Sequence, residues 1–306
     1  MADIIRPATE NRIRALPCFS GAIAIEPLKG GLSNESWLVS DRAGRHVVRF
    51  GSDYPFHHVI REREIMTARA AHEAGFAPRV EHAEPGIMVS EFIDARTLDA
   101  ADVCANAGRI GRFIGDFHRT MPRHVRGPGF MFWVFHVIRD YARTLEQGGS
   151  RMAERLGFWL AMAEEFEAAQ VPLPVVFGHN DLLPANFMDD GSRLWLIDFE
   201  YSGFNTALFD IAGAASNAGM AAEQSAELIQ SCIGHAPDAA FLRAFEAMQC
   251  ASLLRETLWS LVSELHLDAP GVDYQAYTAE NLARFQSALD NWRTTHGIKT
   301  NGKIHP

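Results

Sequence analysis

The rhythm of apolar and polar positions changes near residue 93. Before it, stretches 36–40 and 46–50 are short and rich in apolar residues, and Asp41 to Gly44 supplies a hairpin turn between them. Residues 59–73 are good helix formers, closed by Gly75 and stopped by Pro78. Gly86 then precedes Ile87-Met88-Val89, which reads as another strand. Strands interrupted by one helix are therefore expected up to Ile93.

Beyond that point Ile110, Phe113, Ile114 and Phe117 recur at core-facing helical spacing within 107–118. Helical patterns follow over 131–146 and 152–169, short strands at 175–178 and 194–197 interrupt them, and helices dominate again from 209 to 289. Strands first and helices afterwards predict an α+β fold of two lobes rather than repeated βαβ units. A β-rich N-terminal lobe over 1–92 and a mainly helical C-terminal lobe over 93–306 are expected.

Composition removes several function classes. The 306 residues suffice for two lobes with a sizeable core, and 47% hydrophobic with 22% charged residues is ordinary for a soluble globular protein. Apolar runs such as 130–135 are too short to insert in a bilayer. The opening MADIIRPATENRIR has no apolar core followed by a small-residue cleavage site, so a cytoplasmic location is expected. A net charge of −10 argues against nucleic acid or an anionic membrane as the main partner and is compatible with a cationic small-molecule acceptor. Cys18, Cys104, Cys232 and Cys250 are scattered, as buried thiols of a reducing compartment would be. The 13 histidines form no zinc-type cluster. A homodimer is allowed, since nothing in the sequence selects an oligomeric state.

The chemistry concentrates in His179-Asn180-Asp181-Leu182-Leu183-Pro184-Ala185-Asn186. An Asp with a His two residues before it and an Asn five after it has the spacing of a kinase catalytic loop. A substrate hydroxyl is a poor nucleophile, so Asp181 would orient it and accept its proton. A departing nucleotide concentrates negative charge, so Asn186 would help hold Mg2+ against it. Twelve residues after Asn186, the apolar stretch Leu194-Trp195-Leu196-Ile197 delivers Asp198 as a second metal ligand, with Glu200 assisting directly or through water. Upstream, Gly30-Gly31-Leu32-Ser33-Asn34 would let backbone amides approach phosphates, although two glycines before a serine also describe a simple turn. It is neither a Walker loop nor a GxGxxG. Arg49 ends a predicted strand where kinases keep a cation for the α- and β-phosphates. Glu64 on the following helix is a partner for it, Glu62 is the rival, and a solvated helix face accounts for both. Five such parts in the right order outweigh any single match.

The stretches GGLSNESW (30–37), FGHNDLLPANF (177–187) and LIDFEYSGFNTALFDIAGAASN (196–217) resemble the choline/ethanolamine kinases, within the aminoglycoside-phosphotransferase-like group of protein-kinase-like folds. The resemblance implies ATP and Mg2+ as cofactors and a small amino alcohol as acceptor. It likens Gly31, Ser33 and Asn34 to a phosphate loop and Arg49 to the usual kinase lysine. Ser90 and Phe92 fall in a segment like the adenine-holding hinge, and the family's spacing to Pro78 favours Glu64 over Glu62. Trp259, Tyr274 and Tyr277 fall where the family places aromatics around a quaternary ammonium, each such face contributing about 0.5–2 kcal/mol. Tyr201 is a further candidate for that cage. Two departures stand out. The eukaryotic members carry a Trp where Glu256 stands and an acidic residue near Asn217, so the resemblance implies that Glu256 replaces the lost anion.

Other acceptors, namely an aminoglycoside, thiamine or a sugar-like alcohol, keep the chemistry and change the pocket. An antibiotic kinase would need several acidic residues facing its polycation rather than aromatic rings. A kinase fold used only for binding would show a lost catalytic residue, whereas Asp181, Asn186, Asp198 and Arg49 are all present.

Overall fold

The computed structural model describes residues 7–28, 35–268 and 271–296. In chain order these form α1 (Pro7–Arg14), β1 (Ala24–Leu28), β2 (Glu35–Ser40), β3 (Arg45–Phe50), α2 (Arg61–Glu73), β4 (Val80–Glu84), β5 (Ile87–Glu91) and β6 (Arg96–Thr97). Next come α3 (Ala100–Ala105), α4 (Ala107–Thr120), α5 (Val134–Gln147), α6 (Leu156–Ala168) and β7 (Val175–Gly178). The remainder is β8 (Phe187–Asp189), β9 (Leu194–Leu196), β10 (Gly203–Thr206), α7 (Ala207–Ala218), α8 (Ala222–Ile233), α9 (Ala239–His266) and α10 (Tyr274–His296). The class is α+β, with an antiparallel sheet in the N-terminal part and helices dominating the C-terminal part.

The chain packs as two compact units. One takes the residues up to Leu98 together with Thr120–Pro128 and Ala185–Ser202; the other takes Asp99–Arg119, Gly129–Pro184 and the chain from Gly203 onward. A single cut after residue 92 is the expectation from sequence. Packing instead returns the β8–β9 hairpin to the first unit, because β6 pairs with β8 and the Leu196 amide donates to Phe76 O at 2.8 Å.

In the first unit, β1-β2-β3-β5-β4 form an antiparallel sheet. Alternation puts Trp37, Val39, Val48, Ile87 and Val89 on one face, where Ile13 and Leu16 close the core. The helix carrying Ile13 is an addition to the expected one-helix pattern; its eight residues are too few and too polar for periodicity to reveal. Helix α2 has no side-chain cap from Ile60, but the Asp53 carboxylate accepts from the Arg61 amide at 2.7 Å and sits at the positive end of the helix.

Helix α9 is the spine of the second unit. Its 28 residues span about 42 Å and pack against α5, α6, α7 and α10. Buried residues occur all round it, so its apolar pattern lacks a single stripe. Helix α4 does show one, with Ile110, Ile114 and Phe117 buried. Gly111 brings α4 so close to α8 that a Cβ there would lie 2.3 Å from Leu228 O. Among the described residues no helix is long and apolar enough to cross a membrane.

Cys232 and Cys250 are buried on α8 and α9, and burial pushes both thiols up to about 12. A thiol reagent at about pH 8 should therefore label Cys18 and Cys104 in the native protein and all four cysteines only after denaturation, since thiolate is the reactive form. Rapid native labelling of Cys232 or Cys250, read by peptide mass spectrometry, would contradict this packing.

Candidate active site

The candidate residues fall into two groups, one in each unit. In the first unit the β8–β9 hairpin pairs Phe187 with Leu196, and the Ile197 amide donates to Asn186 O at 3.1 Å. This register brings Asn186 and Asp198 to the same end of the hairpin. Asp198 has φ 69°, a left-handed conformation that Asp and Asn tolerate better than most residues. Its side chain keeps 26% exposure and its Oδ1 lies 3.0 Å from Arg49 Nη2.

Arg49 stands on β3 between Ser36 and Met88 of the neighbouring strands. It also pairs with Glu64, and Glu200 lies 3.7 Å away. Glu64 is thus the α2 carboxylate that meets Arg49. Arg61 completes the group: its Nη1 donates to Glu64 Oε2 at 2.6 Å and to Glu200 Oε2 at 2.9 Å. Burial alone would lower the Arg49 pKa, but Asp198, Glu64 and Glu200 outweigh it and raise it. Glu200 is pushed up to about 7, chiefly by burial and then by the Asp198 charge. Three carboxylates thus face two guanidiniums, with Glu200 shifted toward its neutral form.

Those donors suit a hard divalent cation. Asn186 and Asp198 offer oxygens at one hairpin end, while Glu200 is already engaged by Arg61 and acts at one remove. Among the described residues no group of three or more His, Cys, Asp or Glu could hold a metal by itself.

Of the hinge candidates, Ser90 lies opposite Val47 and Val80 within the sheet. The Phe92 amide donates to Arg45 O at 3.0 Å, and the Arg45 guanidinium stacks 4.3 Å over the Phe92 ring. Tyr201, also in this unit, is buried near Arg63. Gly31, Ser33 and Asn34 lie outside the described residues.

In the second unit β7 pairs with β10 and leads into His179-Asn180-Asp181. Asp210, on α7, organises this turn. Its Oδ2 accepts from the His179 amide at 2.8 Å and its Oδ1 from the Asn180 amide at 2.7 Å; His118 Nε2 lies 2.7 Å from Oδ2. Burial favours the neutral acid, but the His118 hydrogen bond, the charges of His118 and His179 and the His179 amide hold Asp210 below the usual carboxylate range. Asn180 has φ 64°, and its amide group donates to Gly203 O at 3.2 Å while accepting from Asn205 Nδ2 at 3.1 Å. A side chain at Gly178 would not fit, because its Cβ would stand 2.8 Å from Asn180 Oδ1. Asp210 and His118 carry no role in the sequence reading, although Asp210 lies within a stretch that carries the family resemblance. Arg61 and Arg255 are absent from that reading too.

Asp181 lines a crevice with Asn217, Arg255 and Glu256. Asn217 donates to Leu182 O at 3.3 Å, tying the loop to α7. Arg255 Nη1 donates to Glu256 Oε2 at 2.7 Å, and the Tyr277 hydroxyl donates to Glu256 Oε1 at 2.8 Å. Asp273 starts α10 by accepting from the Ala276 amide at 2.9 Å. Trp259 and Tyr277 meet edge-on, with ring centroids 6.0 Å apart. The expected cage is altered: Trp259, Tyr274 and Tyr277 do not line the crevice of Asp181, since the first two are buried in helix packing and the third reaches it only through Glu256.

An antiparallel sheet carrying a buried Arg–Glu pair, and a strand leading into an Asp-bearing loop, define the protein-kinase-like class of fold. The chain belongs to the phosphotransferase enzyme family, whose model matches residues 24–259. It is 32% identical over 206 residues to a probable ethanolamine kinase of Arabidopsis thaliana, covering 61% of this chain and 54% of that protein. Protein LicA of Haemophilus influenzae is 26% identical over 211 residues, covering 66% of this chain and 60% of that one. The chain thus spans little more than half the length of these relatives. A crystal structure of a choline/ethanolamine kinase family protein from Mesorhizobium loti superposes with a TM-score of 0.74 at 28% identity, covering 92% of this chain and 95% of that one.

Replacing Asp210 by Ala would leave two buried amides and His118 without their shared acceptor. Asp210→Ala should destabilise the protein by about 3–5 kcal/mol, measured by urea unfolding. A loss below about 1 kcal/mol would show that the loop is held by other contacts.

Proposed function

We propose that the chain transfers the γ-phosphoryl group of ATP to the hydroxyl of a small amino alcohol of the choline or ethanolamine type. The observation that carries the proposal is the β8–β9 register, which brings Asn186 and Asp198 to the same end of the hairpin, with Arg49 against the latter. Membership of a phosphotransferase family and the naming of relatives as ethanolamine and choline/ethanolamine kinases support it.

Asp181 orients the acceptor hydroxyl and takes its proton as the oxygen bonds to the γ-phosphorus and the bond to the departing ADP oxygen breaks. Arg49, fixed by Glu64, faces the phosphates and offsets their charge; Arg61 keeps Glu64 and Glu200 in place. When bound, Mg2+ would be held by Asn186 and Asp198, with Glu200 behind them, and would neutralise charge on the phosphate oxygens. The end of β5 near Ser90 and Phe92 seats the adenine, and Gly31, Ser33 and Asn34 cover the phosphates. Asn217 and Glu256 receive the acceptor's cationic end. A cytoplasmic location, where ATP is abundant, accords with this activity.

Asp181→Ala should lower kcat by about 10²- to 10⁴-fold in a coupled ADP-release assay. The same variant should keep its thermal stabilisation by ATP with Mg2+, because Asp181 is no nucleotide ligand. Near-normal turnover would remove Asp181 from the mechanism. In a parallel measurement, Asp198→Asn should lose the part of that stabilisation that depends on Mg2+; an unchanged shift would remove Asp198 from the metal site.

A further inference from the structure

The crevice beside Asp181 holds about 340 Å³ of space, part of it open to solvent. Its polar lining offers acceptors in the carboxylates of Asp181 and Glu256, the amide of Asn217 and the hydroxyl of Ser252, with Arg255 the cation among them, paired to Glu256. Aromatic faces play little part in it, since Trp259 and Tyr274 are each only 8% exposed and neither ring lines the space.

Glu256 is held at both oxygens, by the Tyr277 hydroxyl on Oε1 and by Arg255 Nη1 on Oε2. It nevertheless keeps 22% side-chain exposure, whereas Arg255 beneath it keeps 5%. Each carboxylate oxygen has a second lone pair, so the clamp fixes the group's direction without exhausting its capacity. Burial, reinforced by the charges of Glu256 and Asp181, keeps the Tyr277 hydroxyl protonated, so it remains a donor. The same influence places Asp181 within electrostatic range of the clamp.

We propose that the Arg255–Glu256–Tyr277 clamp reads the acceptor's ammonium group through N–H···O hydrogen bonds, so that an amino alcohol with a primary ammonium is preferred to one with a quaternary ammonium. The inference rests on the amino-alcohol reading above and narrows it. An aromatic cage attracts a cation through ring quadrupoles and accepts methyl groups readily. A carboxylate gains most from a charge-assisted N–H donor, and each methyl group removes one. With a quaternary nitrogen, methyl groups displace water from the Glu256 oxygens and give no hydrogen bond in return, leaving acceptor capacity unmet.

The test measures kcat/KM for ethanolamine, N-methylethanolamine, N,N-dimethylethanolamine and choline, in the wild type and in Glu256→Gln and Tyr277→Phe. The wild-type values should fall along the series, by about 10- to 100-fold from first to last. Glu256→Gln should lower the ethanolamine value several-fold more than the choline value, which flattens the series. Tyr277→Phe, which keeps the ring, should raise KM for ethanolamine with little change in kcat. Choline used as well as or better than ethanolamine by the wild type overturns the clamp while leaving amino-alcohol phosphorylation in place. No turnover of any of the four, with ATP binding intact, overturns both readings. Where Glu256→Gln fails to give a cooperative melting curve, the wild-type series and Tyr277→Phe decide the matter.

Discussion

A carboxylate sealed from water stays ionised only if its neighbours replace the hydration it has lost, and Asp210 meets that condition with two backbone amides and a histidine. The conformation of the loop at 179–181 follows from this exchange. Both amides must point inward together, so the chain turns sharply after Gly178 and Asn180 is driven to positive φ. Asp181, the next residue, leaves that turn in a direction set by bonds it does not itself make to Asp210. The crevice beside Asp181 inherits the same constraint, since Asn217 is bonded to the loop at Leu182 and shares α7 with Asp210.

The first unit solves a related problem with a different balance. Arg49 and Arg61 interleave with Glu64, Glu200 and Asp198, so that most of these charges touch more than one opposite partner. Replacing such a network with packed hydrocarbon would often be neutral or stabilising, which makes stability a poor explanation for keeping it. Its one partly exposed carboxylate, Asp198, is paired with Arg49 and open to solvent on its other side. Asn180 and Asp198 are two of the three non-glycine residues with positive φ among the described residues, and both border the candidate site residues.

Much of this architecture is legible in the amino-acid order because short-range physics dictates it. Strands at 36–40 and 46–50, the helix ending before Gly75 and the strand at 175–178 coincide with observed elements to within about two residues. Asp181, Asn186 and Asp198 stand out because their spacing is local. Asp210, His118 and Arg61 do not, since each acts on a partner far along the chain, 92 residues away for His118 and Asp210. The short strands β6, β8 and β10 escape notice for the same reason, being defined by their pairing and not by their own composition. The aromatic set at Trp259, Tyr274 and Tyr277 shows what packing adds to residue type. Residue type and position suggest a cage, while the packing of α9 on α10 buries two of the rings and leaves Tyr277 contributing an oxygen.

The β8–β9 hairpin has two ends with very different freedom. At one, register brings Asn186 and Asp198 together; at the other, Asp190 accepts from Ser192, Arg193 and the Trp195 indole while Asp189 accepts from the Gly191 amide, all of it exposed. Pairing between the strands insulates the first end from the second. Extra residues grafted at Gly191 would lengthen the tip and leave the spacing of the oxygens untouched, which makes this turn a natural point for attaching a fluorophore or an affinity handle without disturbing the chemistry.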